Sequence, residues 1–176
     1  LLAFKHKPVF REVLMEKFWP DVTAESARNC LNVTIHQIRE TFCHVIKPEK
    51  IILFTKECYQ LNPNITVWLD VESFRKQWRE GLTLEEAGDL EHALIAYNSA
   101  ISLYKGDFLE DFMYEEWTDL ERENLKETFL LMLNKISHHY SINGKPEIAI
   151  SICNQILNTD QCREDVHRRL IRCYYR

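Results

Sequence analysis

Apolar residues recur at steps of four and three through Ala27, Leu31, Ile35, Ile38 and Phe42. That spacing puts them on one face of an amphipathic helix running from about Glu25 to Phe42. Arg28, Asn29, Asn32, His36, Gln37 and Arg39 fall on its other faces. Upstream, Val9, Val13, Leu14 and Phe18 predict an earlier helix over Val9–Phe18 with those four residues inward, closed by Trp19-Pro20-Asp21. Downstream the pattern changes. Ile51 to Thr55, then Lys56-Glu57, then Cys58 to Leu61 read as two short strands around a tight turn.

Asn62-Pro63-Asn64 breaks the chain and places a boundary near residue 66. Helical patterning fills the rest. Asp70 is expected to cap a helix through Phe74, Trp78 and Leu82 to about Ala87. After Gly88-Asp89 a second helix carries Leu90, Ala93, Leu94, Tyr97, Ala100, Ile101 and Tyr104. A loop over 105–117 follows, and Thr118 with Glu121 fits a capping box for a long helix ending near Asn143-Gly144. Pro146 suits the first turn of the next helix, to about Leu157, and a last helix begins near Arg163. Gly88, Ala93, Leu94, Ala100 and Ile101 return as Gly144, Ala149, Ile150, Ile156 and Leu157, all at an offset of 56. A repeated turn-to-alanine spacing of this kind favours stacked helical pairs of tetratricopeptide type over a generic bundle. The fold class expected is mainly α: a partial winged helix-turn-helix with a β-hairpin wing, then tetratricopeptide-like α-helical repeats. The domains expected are 1–66 and 67–176.

Composition narrows the function. The chain has 176 residues, 45% of them hydrophobic and 28% charged, as a soluble globular protein has. It contains no run of about 18 apolar residues, so no membrane partner is expected. Four glycines argue against a phosphate-cradling loop. The six cysteines form no CxxC pair and sit at no zinc-finger spacing from a histidine, so neither metal nor cofactor is expected. Cys30 and Cys173 read as small hydrophobes within helices, and a reducing cytoplasm is the expected compartment. The net charge of −5 divides unevenly. Residues 1–66 hold nine Lys and Arg against seven Asp and Glu, and residues 67–176 hold thirteen against twenty.

Helix, helix, hairpin is the order of a winged helix-turn-helix, in which a helix fits the DNA major groove and the hairpin touches the flanking backbone. Between Arg28 and Arg39 there is no Asp or Glu to repel phosphates. The reading is a DNA-binding regulator with Asn32, His36 and Gln37 on base edges and Arg28 and Arg39 on phosphates. The alternative is a tetratricopeptide-like protein-interaction module without DNA binding. The acidic run Asp107, Glu110, Asp111, Glu115 and Glu116 then either faces a basic partner or is a solvated surface around Phe112 and Trp117. No Ser-His-Asp, Gly-rich or paired-carboxylate arrangement suggests an enzyme.

Leu31-Asn32-Val33-Thr34-Ile35-His36-Gln37-Ile38-Arg39 resembles the recognition helix of OmpR-type winged-helix regulators. Trp19-Pro20-Asp21 with Ala27-Arg28-Asn29 resembles more closely the SARP/AfsR family of bacterial transcriptional activators. The second half is similar to that family's bacterial transcriptional activator domain in Tyr104-Lys105-Gly106-Asp107-Phe108-Leu109, Glu116-Trp117, Glu121-Arg122 and Glu164-Asp165-Val166-His167-Arg168-Arg169-Leu170. The resemblance implies binding to direct repeats upstream of promoters and contact with RNA polymerase or another protein through the helical domain, with a homodimer left open. It puts His36 and Gln37 in the groove, Arg39 on backbone or groove, and the wing at Thr55 to Tyr59, with Thr55, Lys56 and Tyr59 as its DNA contacts. Three departures stand out. The family's leading strands and first helix are expected to be missing, with Leu1 to Phe4 as a remnant, which is expected to weaken DNA binding. Cys58 stands where the family often has Gly before the wing tyrosine, a substitution that tolerates positive φ poorly. The recognition helix is also less basic than usual.

Overall fold

A computed structural model describes residues 7–44, 47, 51–112 and 116–175, with the backbone alone for Phe112 and Glu116. The remnant expected at Leu1 to Phe4, and Glu115 of the acidic run, lie outside the described residues. The chain divides into two compact units, 1–67 and 68–176.

In the first unit, β1 (Val9–Phe10) leads directly into α1 (Arg11–Phe18), and α2 (Ala24–Thr41) follows. A hairpin of β2 (Ile52–Thr55) and β3 (Cys58–Leu61) completes it. Thr23 caps α2 by accepting a hydrogen bond from the Ser26 N–H. Ala27, Leu31 and Ile35 of α2 are buried, as the periodicity requires, and pack with Val9, Leu14, Met15, Ile51, Ile52 and Tyr59.

Several expectations for this unit are corrected. Val9–Phe10 is a strand, antiparallel to β3 with Val9 opposite Tyr59 and Phe10 opposite Cys58. The helix therefore starts two residues late, and Val13 and Phe18 are half-exposed while Met15 is buried instead. Phe42, just past the end of α2, is also exposed. Cys58 is an ordinary strand residue. The positive φ belongs to Lys56 (50°) and Glu57 (61°), the two central residues of the turn, and two such residues match the right-handed twist of a two-residue hairpin. Cys30 is exposed rather than packed, whereas Cys173 is buried.

The second unit is helical. Its elements are α3 (Asp70–Glu86), α4 (Leu90–Leu103), a short 3₁₀ turn (Glu110–Phe112), α5 (Glu116–Ile142), α6 (Pro146–Thr159) and α7 (Glu164–Tyr174). The pairs α3–α4 and α5–α6 repeat the offset of 56. Gly88 and Gly144 both take positive φ, 82° and 71°. The N–H of Asp89 donates to the Leu84 carbonyl, and that of Lys145 to the Tyr140 carbonyl, so both helices end in the same left-handed cap. Ala93, Ala100, Ala149 and Ile156, the repeated positions, are fully buried. One core joins Phe74, Tyr97, Leu130, Leu133, Ile136, Cys153 and Val166.

Two caps are corrected. Asp70 lies inside the first turn of α3, where Leu69 is the cap residue and no side chain caps. Thr118 is inside α5, fully buried, and accepts a hydrogen bond from Arg122 Nη2 at 2.7 Å. Arg122 also donates from Nε to the Phe108 carbonyl at 3.0 Å and from Nη1 to Asp119 at 2.8 Å. It therefore ties the loop before α5 to α5 itself, joining two phrases that are adjacent only in space. In the same loop Tyr104 donates to Asp107 at 2.8 Å and stacks on Phe129 at 4.3 Å. Arg169 of α7 does similar work, donating to the Asn134 carbonyl and to Ser137 Oγ of α5.

Candidate nucleic-acid interface

Helix α2 carries the candidate surface. Arg28, Asn29, Asn32, His36 and Gln37 are all exposed, and so is Val33 between them. Asn29, Val33, His36 and Gln37 stand at steps of four, three and one, hence on one face. Val33 was not singled out from the sequence, where an apolar residue off the inward stripe carries no signal. The expected wing residues separate in the structure. Thr55 and Lys56 are exposed at the tip.

Tyr59 is buried, its ring 4.6 Å from that of Phe54 and its hydroxyl donating to Asn32 Oδ1 at 3.3 Å. As a buried strand residue of β3 it holds the hairpin to α2 and stands apart from the exposed tip formed by Thr55 and Lys56. Arg39 also turns inward. It is half-buried, and Nη2 donates to the Ile52 carbonyl at 2.7 Å. Its Nε is buried and finds no acceptor among the described residues. The sequence places Arg39 on a polar face, but the last turn of α2 lies against β2, and that contact captures the side chain.

Between α2 and the hairpin lies a concavity lined by Arg11, Arg28, Leu31, Asn32, Arg39, Phe54 and Tyr59. Arg11, absent from the sequence reading, joins α1 to the turn. Its backbone N–H donates to the Glu57 carbonyl at 3.0 Å, and its guanidinium pairs with Glu57 at 2.7 Å and Glu12 at 3.1 Å. Its hydrogen bond to Glu12 raises the arginine further above its usual range. Glu12 is held below the ordinary carboxylate value by its own backbone N–H first and Arg11 next.

In the second unit, Glu85 accepts from Tyr97 at 2.6 Å and from Lys135 at 2.7 and 2.9 Å, linking α3, α4 and α5. Burial pushes its carboxyl up, but those two donors together outweigh it and leave the group below its usual value. A groove between α3 and α5 is lined by Arg75, Trp78, Arg79, Asn124, Leu125 and Thr128. Among the described residues no group of His, Cys, Asp and Glu is arranged to hold a metal, and no helix is long and apolar enough to cross a membrane.

A three-stranded sheet with a helix pair, followed by stacked helical hairpins, defines a winged-helix unit joined to helical repeats. Residues 69–176 match the model of the bacterial transcriptional activator domain. The chain belongs to that family, as the resemblance to SARP/AfsR activators implies. Among solved structures it is similar to Mycobacterium tuberculosis EmbR in complex with low affinity phosphopeptide, with TM-score 0.79 and 19% identity. The match covers 99% of this chain and 47% of that one, so the chain spans about half the length of EmbR. No curated protein sequence matches the chain.

Proposed function

We propose that the chain is a DNA-binding regulator of transcription, with α2 in the major groove and the hairpin tip on the flanking backbone. The observation that carries the reading is the exposed face of Asn29, Val33, His36 and Gln37 on a helix with no carboxylate between Arg28 and Arg39. Asn and Gln pair with adenine edges, and a valine methyl suits the thymine methyl group. Thr55 and Lys56 reach the backbone from the wing. The helical unit contacts RNA polymerase or another protein. The cytoplasm suits six free cysteines, of which Cys30 and Cys162 are exposed.

A second reading rests on the α3–α5 groove, whose lining includes the apolar Trp78 and Leu125 beside Arg75 and Arg79. It makes the helical unit a protein-interaction module that works without DNA. Selection from a random duplex library at low salt separates the two. An enriched motif supports the first reading, and absence of retention leaves the second.

A further inference from the structure

The concavity beside α2 contains donors that lack an anionic acceptor among the described residues. Arg28 forms no hydrogen bond or ion pair among the described residues and acts on Glu12 only through its field. Arg39 has one contact, to a neutral carbonyl, and no carboxylate pairs with it among the described residues. Asn32 uses its amide oxygen to accept from Tyr59, which leaves its two amide N–H donors without an acceptor among the described residues. Among the described residues the neighbouring carboxylates are already paired: Arg11 holds both Glu12 and Glu57, and neither lines the concavity. A half-buried guanidinium without an anion is costly, and a partner oxyanion relieves it. Phe54 and Tyr59, their rings 4.6 Å apart, complete the lining beside these donors.

We infer that this concavity is a seat for a phosphate oxyanion, held by Arg28, Arg39 and Asn32 with Arg11 keeping the neighbouring carboxylates away. Its position between α2 and the hairpin points to one phosphodiester of the duplex. This part rests on the DNA-binding reading above. It divides the helix differently from its sequence, because Asn32 belongs to the phosphate and only the face of Asn29, His36 and Gln37 is left for bases. Arg11 becomes a positioning residue.

The test uses the full chain and two probes. The first is inorganic phosphate, titrated at constant ionic strength and followed by the amide NMR signals of residues 28–39 and 54–59. Saturable shifts in the wild type that vanish in Arg28→Gln support the seat, and no saturable shift in the wild type overturns it. The second is a duplex from the selected pool carrying single methylphosphonates, each of which removes one phosphate charge. One position is expected to weaken the wild type while leaving Arg28→Gln indifferent, and Arg28→Gln is expected to lower the salt slope by about 0.9. Arg11→Gln keeps the seat's donors but frees Glu12 and Glu57, and its affinity is expected to fall at the same position. Phosphate binding without any such position overturns the duplex as its source. Failure of the wild type to retain any duplex at low salt overturns the DNA-binding reading, and the inorganic phosphate titration then decides the seat by itself.

Discussion

Gln37 and Arg28 occupy one helix, but their surroundings give them different work. Gln37 stands exposed on the face with Asn29 and Val33, and its amide can bond two groups of one base edge. Gln37→Ala is expected to cost about 1–3 kcal/mol on the selected duplex and little on random duplex. Arg28→Ala is expected to weaken both alike. Anisotropy titrations on the two duplexes check this, and equal losses from both variants would remove the division of roles. His92 and Asp89 offer a second residue-scale test. Asp89 caps α4 by accepting from the His92 N–H at 3.2 Å, and its carboxylate also meets the ring at 2.8 Å. That hydrogen bond, then the charge, raises His92 above 6.5, and it holds Asp89 below 3.8. The histidine's contribution to stability is complete below its unfolded value and is lost as pH rises through the raised one. The aspartate's is present above its unfolded value and lost as pH falls through the lowered one. An NMR titration is expected to place His92 above 6.5, and Asp89→Asn to bring it back down. An unshifted His92 in the wild type contradicts the pairing.

At the scale of elements, α3 and α4 meet at Gly81. A Cβ built there would lie 2.3 Å from Tyr97 Cε1 and 2.5 Å from Cδ1. Tyr97 is 2% exposed and its hydroxyl is fixed by Glu85, so the ring has nowhere to go. Gly81→Ala improves helix propensity by about 1 kcal/mol. Overpacking costs typically 1–3 kcal/mol, and here the clash is with a locked ring, so a net loss is expected. Denaturant midpoints of Gly81→Ala and of the exposed control Gly106→Ala check it; a rise at Gly81 would show that the helices part freely. This contact was not legible in the sequence, because a glycine inside a helical pattern says nothing about what crosses it. What was legible follows from period. The inward stripe of α2, the hairpin and the 56-residue repeat each rest on several residues agreeing. Val9–Phe10 is not legible because two residues have no period, and its strand exists only because β3 offers an open edge. The role of Thr118 is not legible because a Thr-x-x-Glu spacing also occurs inside a helix, where this hydroxyl serves Arg122. The candidate site was partly legible for the same reason. Periodicity finds which α2 residues are outside the core, but not that β2 and β3 recapture Arg39 and Asn32.

At the scale of the molecule, the two units each carry a core of their own. The first is built around Leu31, Ile35 and Tyr59, and the second around Tyr97, Leu130, Ile136 and Cys153. Residues 67–176 hold thirteen basic against twenty acidic side chains, a balance that repels a phosphate backbone. Their internal ties are of the long-range kind that a folded unit keeps: Lys135 to Glu85 between α5 and α3, and Arg163, at the start of α7, to Glu127 and Arg169 of α7 to Asn134, both in α5. Residues 68–176 expressed alone are therefore expected to give a helical circular dichroism spectrum, a cooperative thermal transition and no retention of duplex DNA. Trp117 is only half-buried, so Trp117→Ala is expected to lower that transition by less than the 3–5 kcal/mol or so of a fully buried aromatic. The full chain is expected to retain duplex DNA under the same low-salt conditions. A disordered spectrum would mean that the helical unit depends on the first 67 residues. Firm DNA retention by the isolated unit would move the nucleic-acid interface off α2 altogether, since only a surface within the repeats would then account for it.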